Sequence, residues 1–190
     1  MSDKKSKIRP IHIALVIIGA VLYGLGSFAT MGVAIGTVTL RPAAFIACAW
    51  GILFGPWVGG LAAAIGNTFI SDILSGWFGI GGVGGFVGNF IMGFLPALLV
   101  RNPRKWLPIS IWSAVSAVIC GFCIALWQVI VGIQPTIWLM WGVVCMSNIP
   151  VNLVCTPIVV LLLIDRVNKR GLYWKTLPEK PPKKKLESTV

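Results

Sequence analysis

The chain has 190 residues, 57% of them apolar and only 11% charged, with a net charge of +11. That balance excludes an ordinary soluble domain, in which about a quarter of the residues are charged, and points to helices in lipid. The positive charge is clustered in residues 1–10, at Arg101–Lys105 and after Asp165, which in so apolar a chain marks cytoplasmic segments rather than a nucleic-acid surface.

Between the two basic ends the apolar sequence accommodates six spans of about 20 residues or slightly fewer. The expected fold is therefore all-α, a polytopic membrane bundle of six transmembrane helices with both termini cytoplasmic, since an even number of crossings returns the chain to its starting side. Residues 1–10 form a basic cytoplasmic N-terminus, 11–165 the bundle, and 166–190 a basic tail, partly disordered, whose proline-rich stretch from Pro178 to Lys185 suits anionic headgroups. The first apolar run is too long for a cleavable signal and continues into more membrane sequence, so it reads as a retained span.

The first span runs from about Ile11 to Ala34 behind Pro10, a residue suited to a first helical turn. Ala20 and Gly24, four residues apart, allow another helix to approach closely, either inside the bundle or as an external partner interface. Residues 35–41 form an outward connection ending at Arg41, the one basic residue on that side. Pro42 opens a second helix that ends near Phe54, short for a span, and Gly55-Pro56 turns the chain.

The third span, Trp57 to Ser75, is rich in glycine and alanine and therefore thin, which places it centrally. Thr68, Ser71, Asp72 and Ser75 share one helical face near its outer end, with Asn67 beside them. A carboxylate in hydrocarbon costs about 2.5–3.5 kcal/mol on insertion scales, so Asp72 is expected to face protein or a cavity. Residues 76–85 carry Trp77 and six glycines; they read as an external loop, better suited to a mobile lid than to a simple connector. The formal G-x-G-x-x-G match from Gly79 to Gly84 follows no strand and is no dinucleotide site.

The fourth span, Gly84 to Val100, carries Asn89 in its outer half and Pro96 near its inner end. The fifth covers Leu107 to Val131 with Gln128 near its outer end. The sixth, Thr136 to Ile164, contains Pro150 and Pro157 and is expected to kink. Along it Trp138, Trp141, Cys145, Asn148 and Asn152 fall on one stripe, which serves either as a wall for a flat heterocycle or as an aromatic belt with interhelical amide bonds.

Chemistry of other kinds has little support. There is no Walker A sequence, no serine–histidine constellation and no paired carboxylates, so no enzymatic activity is expected. The five cysteines lie in apolar runs, where Cys120-Gly-Phe-Cys123 reads as packing, and His12 is the single histidine, so no metal site is expected. Capture of a small molecule at the outer side remains.

Taken together, a small-residue first helix, Arg41-Pro42, Phe54-Gly-Pro-Trp57-Val-Gly59, Asn67 with Asp72-Ile-Leu-Ser-Gly76, Gly88-Asn89 and Gly93-Phe-Leu-Pro96 resemble the substrate-binding S component of an energy-coupling factor (ECF) transporter. The likeness covers about residues 11–165. It implies a multi-pass subunit of a prokaryotic cell membrane that binds a vitamin or related micronutrient in an outward pocket. Such a subunit docks on a membrane coupling subunit with a pair of ATPases, and needs no cofactor because only those partners use ATP. Carried onto this chain, the binding positions are Arg41, Asp72, Trp77, Asn89, Gln128, Trp138, Trp141 and Asn148. The family's docking pair of alanines is not met at Ala14 and Ile18, which leaves Ala20 and Gly24 as the nearest substitute. Two other readings stay open, a solitary carrier and a membrane scaffold that transports nothing.

Overall fold

The computed structural model describes residues 10–30, 34–35, 38–39 and 41–175. Six helices account for nearly all of them: α1 (Pro10–Ala29), α2 (Ala44–Phe54), α3 (Pro56–Leu74), α4 (Phe78–Leu99), α5 (Trp106–Ile130) and α6 (Ile137–Lys169). Two-residue strands, β1 (Ala34–Ile35) and β2 (Val38–Thr39), pair antiparallel between α1 and α2. The basic segment 1–9, most of the connection 31–40 and the tail 176–190, for which cytoplasmic placement and disorder are expected from sequence, lie outside the described residues.

Among the described residues five helices are long and apolar enough to cross a membrane; α2 is not one of them. At 11 residues it is about 16 Å long, roughly half of the hydrocarbon thickness. Its shortness follows from its position. Eight of its residues are buried, including Ala47, Cys48, Gly51 and Leu53, so it is surrounded by protein and does not have to match the bilayer by itself. The helix-by-helix expectation was accurate at α5 and α3 and less so at α1, which ends at Ala29 rather than near Ala34.

The centre of the bundle is set by three glycines. A β-carbon on Gly51 of α2 would strike the Gly93 carbonyl of α4, and one on Gly59 of α3 would strike the backbone of Gly51. Backbones this close gain dispersion contact that larger residues would prevent, the usual source of cohesion between helices where lipid is as apolar as the side chains. Ala20 and Gly24 serve the same end between α1 and α3: a β-carbon on Gly66 would meet the backbone of Ala20, and one on Gly24 would meet Ile70. These two residues are buried inside the chain, so they do not form the external interface. The face that α1 turns outward carries Ile13, Ile17, Leu25 and Phe28.

Proline inside a helix removes an N–H and frees the carbonyl four residues back. At Pro157 and Pro96 a neighbouring helix takes up that carbonyl. Pro157 frees Leu153, whose oxygen accepts from Ser110 Oγ of α5 at 2.9 Å; Pro96 frees Met92, whose oxygen accepts from Cys48 Sγ at 3.3 Å. Helix α6 continues through Pro150 and Pro157. The non-helical backbone falls instead at Gly82 in α4 (φ 40°, ψ −141°).

At the end of the bundle holding Arg101–Lys105, the segment after α6 folds back as a strap. Trp174 Nε1 donates to Ile52 O at 3.1 Å, and Lys175 Nζ donates to Ala97 O at 3.1 Å. Both carbonyls lie in last helical turns, where they have no acceptor role left within the helix. Arg104 and Asp165 pair at 3.2 Å nearby.

Candidate functional site

At the other end of the bundle the helices part around a cavity of about 170 Å³. Two helices stop there by the same device. Gly76, at φ 72°, ends α3 with Gly76 N–H on the Ile73 carbonyl and Trp77 N–H on the Asp72 carbonyl. Gly132, at φ 75°, ends α5 with Gly132 N–H on Val129 and Ile133 N–H on Gln128. Both are the paired closing bonds of a glycine C-terminal motif. Asp72 and Gln128 hold the equivalent place in each, the carbonyl that the motif anchors, and both side chains line the cavity.

Helix α3 contains a π-turn over Gly66–Ser71. In an α-helix two residues five apart point about 140° away from each other; the i→i+5 closure of a π-turn brings them into line. Asn67 Nδ2 accordingly donates to Asp72 Oδ2 at 3.0 Å, and Asn67 Oδ1 accepts from Arg41 Nη1 at 3.1 Å. Arg41 and Asp72, the two charged groups of the site, are therefore joined through an amide and do not meet as an ion pair among the described residues. Arg41 also reaches across the site, since its backbone N–H donates to Ser147 Oγ of α6 at 3.1 Å.

Of the eight positions expected from sequence, Arg41, Asp72, Trp77, Asn89, Gln128 and Asn148 line the cavity. Asn89 does so with its amide already engaged: its oxygen accepts from Tyr23 Oη at 2.6 Å and its Nδ2 donates to Gly85 O at 2.7 Å. Trp138 and Trp141 are not part of the lining. Trp138 is 73% exposed, and Trp141 turns to α5, donating to Val118 O at 3.0 Å against the ring of Phe122. The stripe on α6 holds only approximately, because the helix presents Met140, Val143, Val144 and Ser147 to the cavity beside Asn148. Asn152 is spent within α6, donating to Asn148 O and accepting from Thr156.

The glycine-rich stretch is not an open loop. From Phe78 it forms the first turns of α4, and its glycines admit neighbouring side chains: a β-carbon on Gly81 would collide with the Asp72 carboxylate, and one on Gly82 with the Trp127 indole. Gly85 differs, because a β-carbon there meets Asn67 Nδ2 at 3.5 Å and Asp72 Oδ2 at 3.7 Å, ordinary contact distances on the cavity side. Sequence reading missed Asn67 as a site residue, and missed Ser147, Gly81 and Gly85. An α-helical wheel cannot align Asn67 with Asp72.

Two side chains of the lining are left with unmet polar atoms. Gln128 Oε1 and Asn148 Oδ1 are buried without a hydrogen-bond partner, on residues only 2% and 4% exposed. Each such atom costs about 1–3 kcal/mol unless something donates to it.

Five apolar helices of spanning length, four of which line a cavity bearing charged and amide side chains, mark an all-α protein of the membrane class. The comparisons place it further. The chain belongs to the family described as "Family of unknown function (DUF8171)", whose model matches residues 14–160. It is similar to UPF0397 proteins of bacteria. One from Vibrio atlanticus (strain LGP32) is 36% identical over 88 residues, 42% of this chain and 48% of that protein. One from Aliivibrio fischeri (strain MJ11) is 34% identical over 86 residues, 41% and 46%, and one from Photobacterium profundum is 35% identical over 94 residues, 45% and 48%. The chain thus spans about half the length of the curated relatives it matches. No solved structure matches it.

Proposed function

We propose that this chain is the substrate-capturing membrane subunit of an ATP-driven uptake system of the energy-coupling factor type, which takes a vitamin or related small heterocyclic micronutrient. One observation carries the reading: a cavity of about 170 Å³ inside an apolar bundle is lined by Arg41 and Asp72, which meet through Asn67 and not as a direct ion pair. Charges cost too much in such surroundings to persist without a task, and in membrane helices they mark binding or transport sites.

In this reading the bundle crosses the cell membrane of a prokaryote six times, with α2 as a short, protein-surrounded sixth crossing. The end bearing Arg101, Arg104, Lys105 and Lys175 faces the cytoplasm, as the distribution of basic residues favours. The cavity then opens outward. The chain contributes no ATPase, so a membrane coupling subunit with a pair of ATPases supplies the energy.

Vesicle uptake tests this reading. Reconstituted alone, the protein is expected to bind its substrate without accumulating it, and to accumulate it once a coupling module and ATP are added. Accumulation by the isolated chain would replace the reading with a solitary carrier. Absence of any bound substrate, with tolerance of alanine at Gln128 and Asn148, would replace it with a scaffold.

A further inference from the structure

The cavity also restricts what kind of guest it takes, an inference that rests on the capture reading above. Its volume, about 170 Å³, is near that of an engineered cavity of about 150 Å³ that binds benzene. One ring with short substituents fills such a space.

The polar groups are arranged for a guest with two unlike ends. Arg41 is anchored by its backbone to Ser147 on α6 and gives one guanidinium nitrogen to Asn67. A guanidinium carries five N–H donors, so most of its capacity for an anion remains. Asp72 Oδ2 accepts from Asn67 Nδ2 and has no direct ion pair with Arg41, so its charge still favours a further N–H donor. Gln128 and Asn148 add two buried oxygens that lack a donor. The aliphatic side chains of Met140, Val143 and Val144 on α6 supply apolar contact for a ring.

We infer that the site takes a single-ring molecule with an N–H donor group at one end, for Asp72, and a carboxylate at the other, for Arg41, with the unmatched amide oxygens open to a further donor. A guest with both ends satisfies charges that the protein keeps apart by means of Asn67. A guest with one end leaves the opposite charge desolvated, which is the costlier state.

Isothermal titration of the full chain in lipid nanodiscs with four probes tests the assignment: 4-aminobenzoate, benzoate, aniline and the tricyclic lumichrome. The expected result is that 4-aminobenzoate binds about tenfold or more tighter than benzoate or aniline, as a charge-assisted hydrogen bond at each end implies. Asp72→Asn, which keeps shape, should erase the advantage over benzoate, and Arg41→Gln the advantage over aniline. Equal affinities for the three single rings, or tightest binding of lumichrome, would overturn the assignment and leave capture standing. Silence from all four would overturn it too; capture itself would fall with it only if gently purified protein also carries no small molecule by native mass spectrometry.

Discussion

Asn67 and Asp72 are five residues apart in α3 and share a hydrogen bond of 3.0 Å, a pairing that the π-turn between them makes possible. The same amide accepts from Arg41, so one neutral side chain holds two opposite charges in place without cancelling them. Asn67→Ala removes both bonds and leaves the buried Asp72 and the half-buried Arg41 with fewer partners. We expect a loss of about 1–3 kcal/mol, within the range for unsatisfied buried groups, measured as a lower thermal midpoint in detergent. A midpoint unchanged from wild type would show that the bridge does not support the fold.

The glycines divide by what surrounds them. Gly51 lies against the backbone of Gly93, whereas Gly142 in α6 has open space where a β-carbon would go. Gly51→Ala should cost about 1–3 kcal/mol by overpacking. Gly142→Ala should stabilise by about 0.5–1 kcal/mol, because glycine in a helix interior loses more chain entropy than alanine. Paired thermal melts of the two variants check the signs.

Pro157 and Ser110 make a coupled pair through the Leu153 carbonyl. Ser110→Ala alone should destabilise by about 1 kcal/mol, typical of a lost interhelical bond. In a Pro157→Ala background, the alanine N–H can take that carbonyl, and the same change should cost clearly less. A double-mutant cycle reads the difference; additive costs would contradict the account of α6.

The strap after α6 should be sensitive to alkali. Burial pushes the Tyr173 phenol up to about 12. A group whose folded value is raised is favoured in its protonated form, so its share of stability is complete below the ordinary phenol value of about 10 and is lost as pH climbs beyond it. Between about pH 10 and 12 the thermal midpoint of the wild type should fall more steeply than that of Tyr173→Phe. Parallel slopes would show that the phenol does not titrate against the fold.

Much of this was legible in the sequence, and the limits have physical causes. Apolar runs and prolines marked six helices, because lipid permits little other than helices there; all six were read as spans, the second as a short one, and five are long enough to cross. Arg41 and Asp72 stood out as the two charges between distant basic segments. The π-turn was not legible, since nothing in Gly66–Ser71 departs from an α-helical pattern, and with it Asn67 was passed over. Nor did the glycines of 79–85 reveal that they start a helix: glycine serves a loop and a close approach equally well, and only the positions of Asp72 and Trp127 decide between them. Trp138 and Trp141 shared a stripe with Asn148 over seven and ten residues, but a stripe this wide spans both the cavity and the outer face of α6.

Gly85 offers the most direct test of the central claim, that the cavity between Arg41 and Asp72 holds a small molecule. A side chain there points into the cavity and first meets Asn67 and Asp72 at ordinary contact distances, so Gly85→Leu should fill the space while leaving both charges in place. Native mass spectrometry of gently purified protein is the measurement, with thermal melts confirming that the variant is folded. The account predicts a small-molecule adduct on the wild type that is absent from folded Gly85→Leu; an adduct retained equally by both would contradict it.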